Sequence, residues 1–369
     1  MGKSFTIEVL DVNEAPIGIN ITSQGGQLTF PDGHAQIREN SATGTVIGKL
    51  QALDQDAVQT LTFKLDDDAG GKFTLGSSSA GCQTITNIPG VNTRCTVDLK
   101  VNGALDYETS KEYHITVRVT DKKGLFTTEQ LKISIVDQND APENVTLGGS
   151  YSASVDENTN GALVGQLVTS DQDVAQSHTY KLVDDAAGRF VIQNDKLYVS
   201  SSANLDYEVQ KSFTVKVQSN DSGTPSLGLV QDFLITVLDV NEAPVNITLA
   251  PANITENSQA GTVIGQLSVS DPDNYGPRGT WQTHNCQVDG NQIGKFTIQS
   301  KVLVVGSASI DYELASVISV EVKCTDTGSP PLSLVTTLSI TVLDINEAPT
   351  AISLSSSVIA EDQPPSLIG

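Results

Sequence analysis

Four times the sequence returns to one short acidic phrase ending in Ala-Pro. It reads Asp11-Val12-Asn13-Glu14-Ala15-Pro16, then Asp137-Gln138-Asn139-Asp140-Ala141-Pro142. Asp239-Val240-Asn241-Glu242-Ala243-Pro244 and Asp344-Ile345-Asn346-Glu347-Ala348-Pro349 follow. The phrases start 126, 102 and 105 residues apart. Each interval is close to the size of a domain that folds alone, so the chain must fold as a series of similar domains.

Four further features recur in fixed order between these marks. A Glu-Asn pair comes first (Glu39-Asn40, Glu157-Asn158, Glu256-Asn257), then Asp-x-Asp (Asp54/Asp56, Asp171/Asp173, Asp271/Asp273). Asp-Tyr-Glu follows (Asp106 to Glu108, Asp206 to Glu208, Asp311 to Glu313), then a late Asp near a Gly (Asp121, Asp221, Asp326). The step from Asp-Tyr-Glu to the late Asp is 15 residues in all three repeats. Solvated loops drift in length and composition, so this constancy indicates shared chemistry.

Between the phrases the pattern is that of strands. Tyr113, Ile115, Val117 and Val119 alternate with polar residues, as do Phe213, Val215 and Val217. Leu131, Ile133 and Ile135 do the same, as do Leu338, Ile340 and Val342. A period of two marks half-buried β-strands. Gly, Asn, Asp and Pro punctuate them, and no sustained helical period intervenes. The expected fold is all-β: tandem Greek-key, Ig-like β-sandwiches in a linear array. Residues 1–16 read as the last strand and exit linker of a preceding repeat. Complete repeats are expected at 17–142, 143–244 and 245–349, and 350–369 as the opening of a fourth. The chain then reads as a segment of a longer array.

Composition narrows the function. The 44 Asp+Glu against 21 Lys+Arg give a net charge of -23, which argues against a nucleic-acid or anionic-membrane surface. No apolar run approaches the roughly 18–20 residues that cross a bilayer. Met1 to Ile19 lacks the basic-then-apolar layout of a signal peptide. The acids are not spread evenly, and their grouping suggests a cation. On an extended segment Asp-Tyr-Glu and Asp-x-Asp each send two carboxylates to one side. Hard cations such as Ca²⁺ take about 6–8 oxygen ligands, and crowded carboxylates repel without one. An EF-hand does not fit: counted from Asp271, Tyr275 and Gln282 stand where a ligand and the bidentate Glu belong. The site must draw on distant phrases. Catalysis finds no motif. His34, His114, His178 and His284 share no phrase with a nucleophile, and a glycosidase pair would occur once rather than at every linker.

The combined set of phrases resembles the extracellular cadherin repeat over essentially the whole chain. The resemblance implies Ca²⁺ between successive repeats. The upstream repeat would supply Glu, Asp-x-Glu and linker, the downstream repeat Asp-x-Asp and the late Asp. By position, the first complete junction would use Glu39, Asp106, Glu108, Asp137, Asn139 and Asp140 with Asp171, Asp173 and Asp221. The second would use Glu157, Asp206, Glu208, Asp239, Asn241 and Glu242 with Asp271, Asp273 and Asp326. Half-sites are expected at the ends: Asp11, Asn13, Glu14, Asp54, Asp56 and Asp121, and Glu256, Asp311, Glu313, Asp344, Asn346 and Glu347. These positions hold 26 of the 44 acidic residues, so the charge is concentrated at the linkers. There are departures. Ala141, Ala243 and Ala348 stand where the family linker often has Asn, and the Gly-x-Asn that often follows Asp-x-Asp is missing at Ala57-Val58-Gln59 and Val174-Ala175-Gln176. That puts one backbone ligand in doubt.

The function so implied is Ca²⁺-dependent cell-cell adhesion by part of the ectodomain of a plasma-membrane protein, stiffened at its junctions. The parent would be Fat-like, protocadherin-like or a divergent invertebrate cadherin. Its partner would be another cadherin ectodomain, homophilic or heterophilic. A bacterial cadherin-like adhesin and a passive extracellular spacer are the alternatives. Trp281 lies inside repeat three, so a strand-swapping Trp anchor is not expected.

Four cysteines bear on the compartment. Cys82 and Cys95 fall in an extra segment of repeat one near 76–101, where a disulfide-closed hairpin is expected. Aligning the phrases puts Cys286 at the place of Tyr180 and Phe63, and Cys324 at that of Val119. The pair reads as a core disulfide or as two buried thiols. Sequons occur at Asn20, Asn144, Asn220, Asn246 and Asn253, and those at Asn20, Asn144 and Asn246 follow a linker at matching places.

Overall fold

The computed structural model describes residues 3–22, 34–77, 81–148, 153–274, 282–349, 351–353 and 361. Trp281 and most of 350–369 lie outside them. Residues 3–16 form no strand, contrary to expectation. Phe5, Ile7 and Val9 alternate as a strand should, yet they are exposed. A strand needs a neighbouring ladder, and this segment pairs with none of the described strands.

Nine strands follow: β1 (Ile17–Thr22), β2 (Ala35–Arg38), β3 (Val46–Asp54), β4 (Thr62–Asp67), β5 (Phe73–Leu75), β6 (Gly81–Thr84), β7 (Thr93–Val101), β8 (Glu112–Thr120) and β9 (Phe126–Val136). They form two sheets, ordered β1-β3-β7-β5, with β6 added on β7, and β2-β9-β8-β4. The next eight are β10 (Asn144–Gly148), β11 (Ser154–Asp156), β12 (Leu163–Ser170), β13 (Thr179–Asp184), β14 (Phe190–Gln193), β15 (Lys196–Val199), β16 (Ser212–Asn220) and β17 (Gly228–Leu238). The last eight are β18 (Asn246–Ala250), β19 (Asn253–Thr255), β20 (Val263–Ser270), β21 (Asn285–Asp289), β22 (Phe296–Gln299), β23 (Val302–Val305), β24 (Val317–Thr325) and β25 (Ser333–Leu343). Each set of eight repeats the topology, as β10-β12-β15-β14 with β11-β17-β16-β13, and β18-β20-β23-β22 with β19-β25-β24-β21.

In each sandwich the first strand pairs with the third, and the short second strand crosses to the other sheet. There it pairs in parallel with the last strand, as Ala35 to Arg38 do with Ile133 to Val136. Residues 154–156 and 253–255 do the same. The chain segments fall into two compact units, 1–148 with 166–183 and 216–231, and 149–165 with 184–215 and 232–369.

Alternation along the strands fills the cores. Strand β7 buries every second residue from Thr93 to Val101. Phe73, Phe190 and Phe296 hold matching places and are fully buried. Phe73 meets Tyr113 edge to face at 5.8 Å, and Phe190 meets Phe213 at 6.0 Å. Each such ring contributes roughly 1.5–3 kcal/mol of burial. Both disulfides form. Cys82–Cys95 closes the β6–β7 hairpin, and Cys286–Cys324 joins directly opposed residues of β21 and β24. Phe63 and Val119 face each other at the same place in the first sandwich. Asn20, Asn144 and Asn246 are exposed on the edge strands β1, β10 and β18. The Asn220 side chain is instead engaged by the amide of Gln218.

Candidate metal centre

The buried glutamates organise the acidic phrases. Glu39, Glu157 and Glu256 follow the short second strands and are 1%, 1% and 3% exposed. Each carboxylate accepts two backbone N–H groups from distant places. One comes from the Tyr of Asp-Tyr-Glu: Tyr107 at 2.7 Å, Tyr207 at 2.8 Å and Tyr312 at 3.1 Å. The other comes from the linker: Gln138 at 2.7 Å, Val240 at 2.9 Å and Ile345 at 2.6 Å. The neighbouring Asn has its own reason. Asn40, Asn158 and Asn257 sit at φ of 55–56°, a left-handed conformation that Asn tolerates better than most residues. Their side-chain amides donate to Asp140, Glu242 and Glu347.

Asp-Tyr-Glu is not extended, which corrects the sequence reading. It lies in a turn in all three repeats. Asp106 accepts the N–H of Thr109 on its side chain and that of Ser110 on its carbonyl, as the cap of a single helical turn does. Asp206 and Asp311 cap identical turns through Val209 and Leu314. The expected alternation assumed a strand, whereas Asp with a donor three residues on favours a cap. The turn still aims both acids at the buried glutamate. Ligand atoms of Glu39, Asp106 and Glu108 lie within 4.8 Å of one another, as do those of Glu157, Asp206, Glu208 and of Glu256, Asp311, Glu313. Glu108 also groups with Asp137 and Asp173, and Glu208 with Asp239 and Asp273.

Asp-x-Asp forms a second recurring turn. The first Asp accepts the N–H of the second, from Asp54 to Asp56 at 2.8 Å and likewise at Asp171 and Asp271. The second Asp then accepts the linker backbone: Glu14 N–H meets Asp56, Asp140 meets Asp173, and Glu242 meets Asp273. Linker Asn13, Asn139 and Asn241 donate to the late Asp121, Asp221 and Asp326. A Cβ on Gly223 would stand 1.4 Å from Asn139 Oδ1, and one on Gly328 1.5 Å from Asn241 Oδ1. Glycine is thus sterically favoured at 223 and 328, whereas the first repeat carries Lys123 at the same place, where its N–H likewise meets Asp121. All nine proposed residues of the first junction lie in the first compact unit, and all nine of the second in the other. Of the terminal sets, Asn13, Glu14, Asp54, Asp56 and Asp121 connect as their counterparts do. Asp11 and Asp344 are exposed, as Asp137 and Asp239 are, and Asn346 is exposed where Asn139 and Asn241 are partly covered.

Two residue types escaped the sequence reading. Gln59, Gln176 and Gln282 donate to the linker Asn13, Asn139 and Asn241. Two residues further on, His178 and His284 meet Asp171 and Asp271 at 2.9 and 2.7 Å. The shared Gln-x-His spacing was a signal that pointed here. Burial raises several carboxyls in the clusters. Burial, reinforced by the charges of Glu157, Asp239 and Glu242, raises Glu208 to about 7. Burial also raises Glu242 and Asp273.

Comparison with known proteins bears on the family and the fold. The family model described as Cadherin domain matches residues 33–136, 151–238 and 250–343. Human Protocadherin-1 is 28% identical over 353 residues, covering 92% of this chain and 32% of its own length. The Fat-like cadherin-related tumor suppressor homolog of Drosophila melanogaster is 28% identical over 325 residues, covering 86% of this chain and 6% of its own length. The chain therefore spans a third or less of these relatives. Among solved structures, mouse Cadherin-23 EC22-24 aligns over 90% of this chain and all of its own, with a TM-score of 0.54 and 22% identity. The Protocadherin Gamma B2 extracellular cadherin domains 1-5 align over 92% of this chain and 62% of their own, with a TM-score of 0.53 and 21% identity. These two likenesses speak to the fold.

Proposed function

The chain belongs to the cadherin family, and from that premise we propose that it is an adhesion segment whose successive repeats share Ca²⁺ at their linkers. One observation carries this reading. Among the described residues, six buried side-chain polar atoms lack a hydrogen-bond partner: Asp54 Oδ2, Gln176 Oε1, Glu208 Oε2, Asp273 Oδ1, Asn274 Oδ1 and Gln282 Oε1. All are oxygens, and all lie in or beside the acidic clusters. Buried polar atoms are normally paired, and an unpaired one calls for a water or ion. Oxygens alone, crowded with carboxylates, suit a hard cation.

The residues that would hold it are Glu39, Asp106, Glu108, Asp137, Asn139, Asp140, Asp171, Asp173 and Asp221, and their counterparts from Glu157 to Asp326. Bound there, Ca²⁺ would neutralise repulsion between carboxylates. The chain's own residues do the rest. The buried glutamates tie each linker to the Asp-Tyr-Glu turn, and the linker backbone docks on Asp-x-Asp. With the cation bound, the linker would stiffen, and repeats at 17–142, 143–244 and 245–349 would act as a jointed rod with fixed joints. The setting would be extracellular, on a plasma-membrane protein, and the partner another cadherin ectodomain.

Bead aggregation tests the adhesive part. Beads coated with this chain should cluster in Ca²⁺ and disperse in chelator. Beads that stay dispersed in both would assign the segment a spacer role, with the adhesive face elsewhere in the parent.

A further inference from the structure

We infer that Gln176 and Gln282 are cation ligands, each supplying its side-chain oxygen to the downstream part of an acidic cluster. The inference rests on the Ca²⁺ reading above and adds a side-chain oxygen to the ligands named there. The two residues hold one structural place: each stands two residues before the His that meets the first Asp of Asp-x-Asp. Each amide nitrogen is fixed on the linker Asn oxygen, at 2.7 Å in both cases. Each amide oxygen is buried and without a hydrogen-bond partner. Fixing one end of a planar amide fixes where the other end points.

Acidic residues surround both side chains. Gln176 lines one cavity with Glu108, Asp137 and Asp173, the three acids whose ligand atoms already group, and with Lys111 beside the Asp-Tyr-Glu turn. Gln282 Nε2 also lies 2.9 Å from Asp273 Oδ2, and the other oxygen of Asp273 is itself buried and unpaired. A carboxamide oxygen is a hard donor without charge. It completes a shell without adding to the repulsion among eight carboxylates. Gln176 also holds the last place of the missing Gly-x-Asn, at Val174-Ala175-Gln176.

Substitution by Glu and by Ala separates a ligand from a mere hydrogen-bond donor. Gln176→Glu keeps an oxygen and removes the N–H donor, whereas Gln176→Ala removes both. Calcium affinity is read by calorimetry on the whole chain, and europium luminescence lifetimes count the waters left on the bound ion. The second cluster serves as an internal reference for folding. Gln176→Ala should weaken binding at the first cluster on the order of tenfold and add one bound water, and Gln176→Glu should keep affinity and water count. Equal weakening by both substitutions, with no added water in either, would overturn the inference and leave the Ca²⁺ reading standing. An unaltered chain that binds no calcium would overturn that reading, and this inference with it.

Discussion

The carboxylate of Glu39 accepts the backbone N–H of Gln138 at 2.7 Å, across 99 residues of sequence. The same oxygen pair holds Tyr107 N–H. One buried acid thereby fixes the linker to the turn that carries Asp106 and Glu108. Glu39→Ala leaves two donors without an acceptor, so its cost is expected at about 2–5 kcal/mol. Equilibrium unfolding in denaturant checks this. An effect under about 0.5 kcal/mol would show that the linker is held by other contacts.

The pH response should change sign with calcium. Glu208 is raised from 4.5 to about 7 in the folded chain. A raised carboxyl binds its proton more tightly when folded, so its stabilising contribution is complete below pH 4.5 and is lost as pH rises through 7. Glu242 and Asp273 shift the same way. In chelator, the unfolding temperature should therefore fall as pH goes from 5 to 7.5. In calcium it should rise over that range, because protons compete with the cation. Parallel slopes in both conditions would count against the clusters as shared proton and cation sites.

Gly223→Ala should loosen the first linker. The added carbon would stand 1.4 Å from Asn139 Oδ1 and must displace it. A loss of about 1–3 kcal/mol is expected, together with weaker calcium binding at the first cluster. Removing the obstructing side chain as well, in Gly223→Ala with Asn139→Gly, should cost less than the two single changes added together. Strict additivity would mean that the two residues do not meet.

Much of this was legible in the sequence, for identifiable reasons. Fixed order and spacing exposed the repeats, and period-two alternation exposed strands such as 113–119 and 213–217, because half-buried sheets impose it. The Asp-Tyr-Glu turn was misread because alternation was applied to a segment with no ladder partner. There the local bond from Thr109 N–H to Asp106 decides the backbone. Strand signal at Phe5, Ile7 and Val9 failed for a related reason, since pairing belongs to the sheet and not to the strand. Gln176 and Gln282 were missed because a neutral amide carries no signal of its own. Its role depends on Asn139 or Asn241, about 40 residues away along the chain.

Removing the Cys286–Cys324 bond should cost about 3–4 kcal/mol, given its 38-residue separation. The loss should be confined to the third sandwich. Hydrogen exchange of Cys286→Ala/Cys324→Ala would show it: faster exchange in β21 and β24, with β4 and β8 unchanged. Uniform acceleration along the chain would contradict independent folding of the sandwiches.

The central claim is that cations complete the acidic clusters. Thermal unfolding of the chain in millimolar calcium and in excess chelator tests it most directly. A markedly higher unfolding temperature in calcium is expected, and Asp137→Ala should remove only part of the difference, since the second cluster is intact. Identical unfolding temperatures with and without calcium would contradict the account.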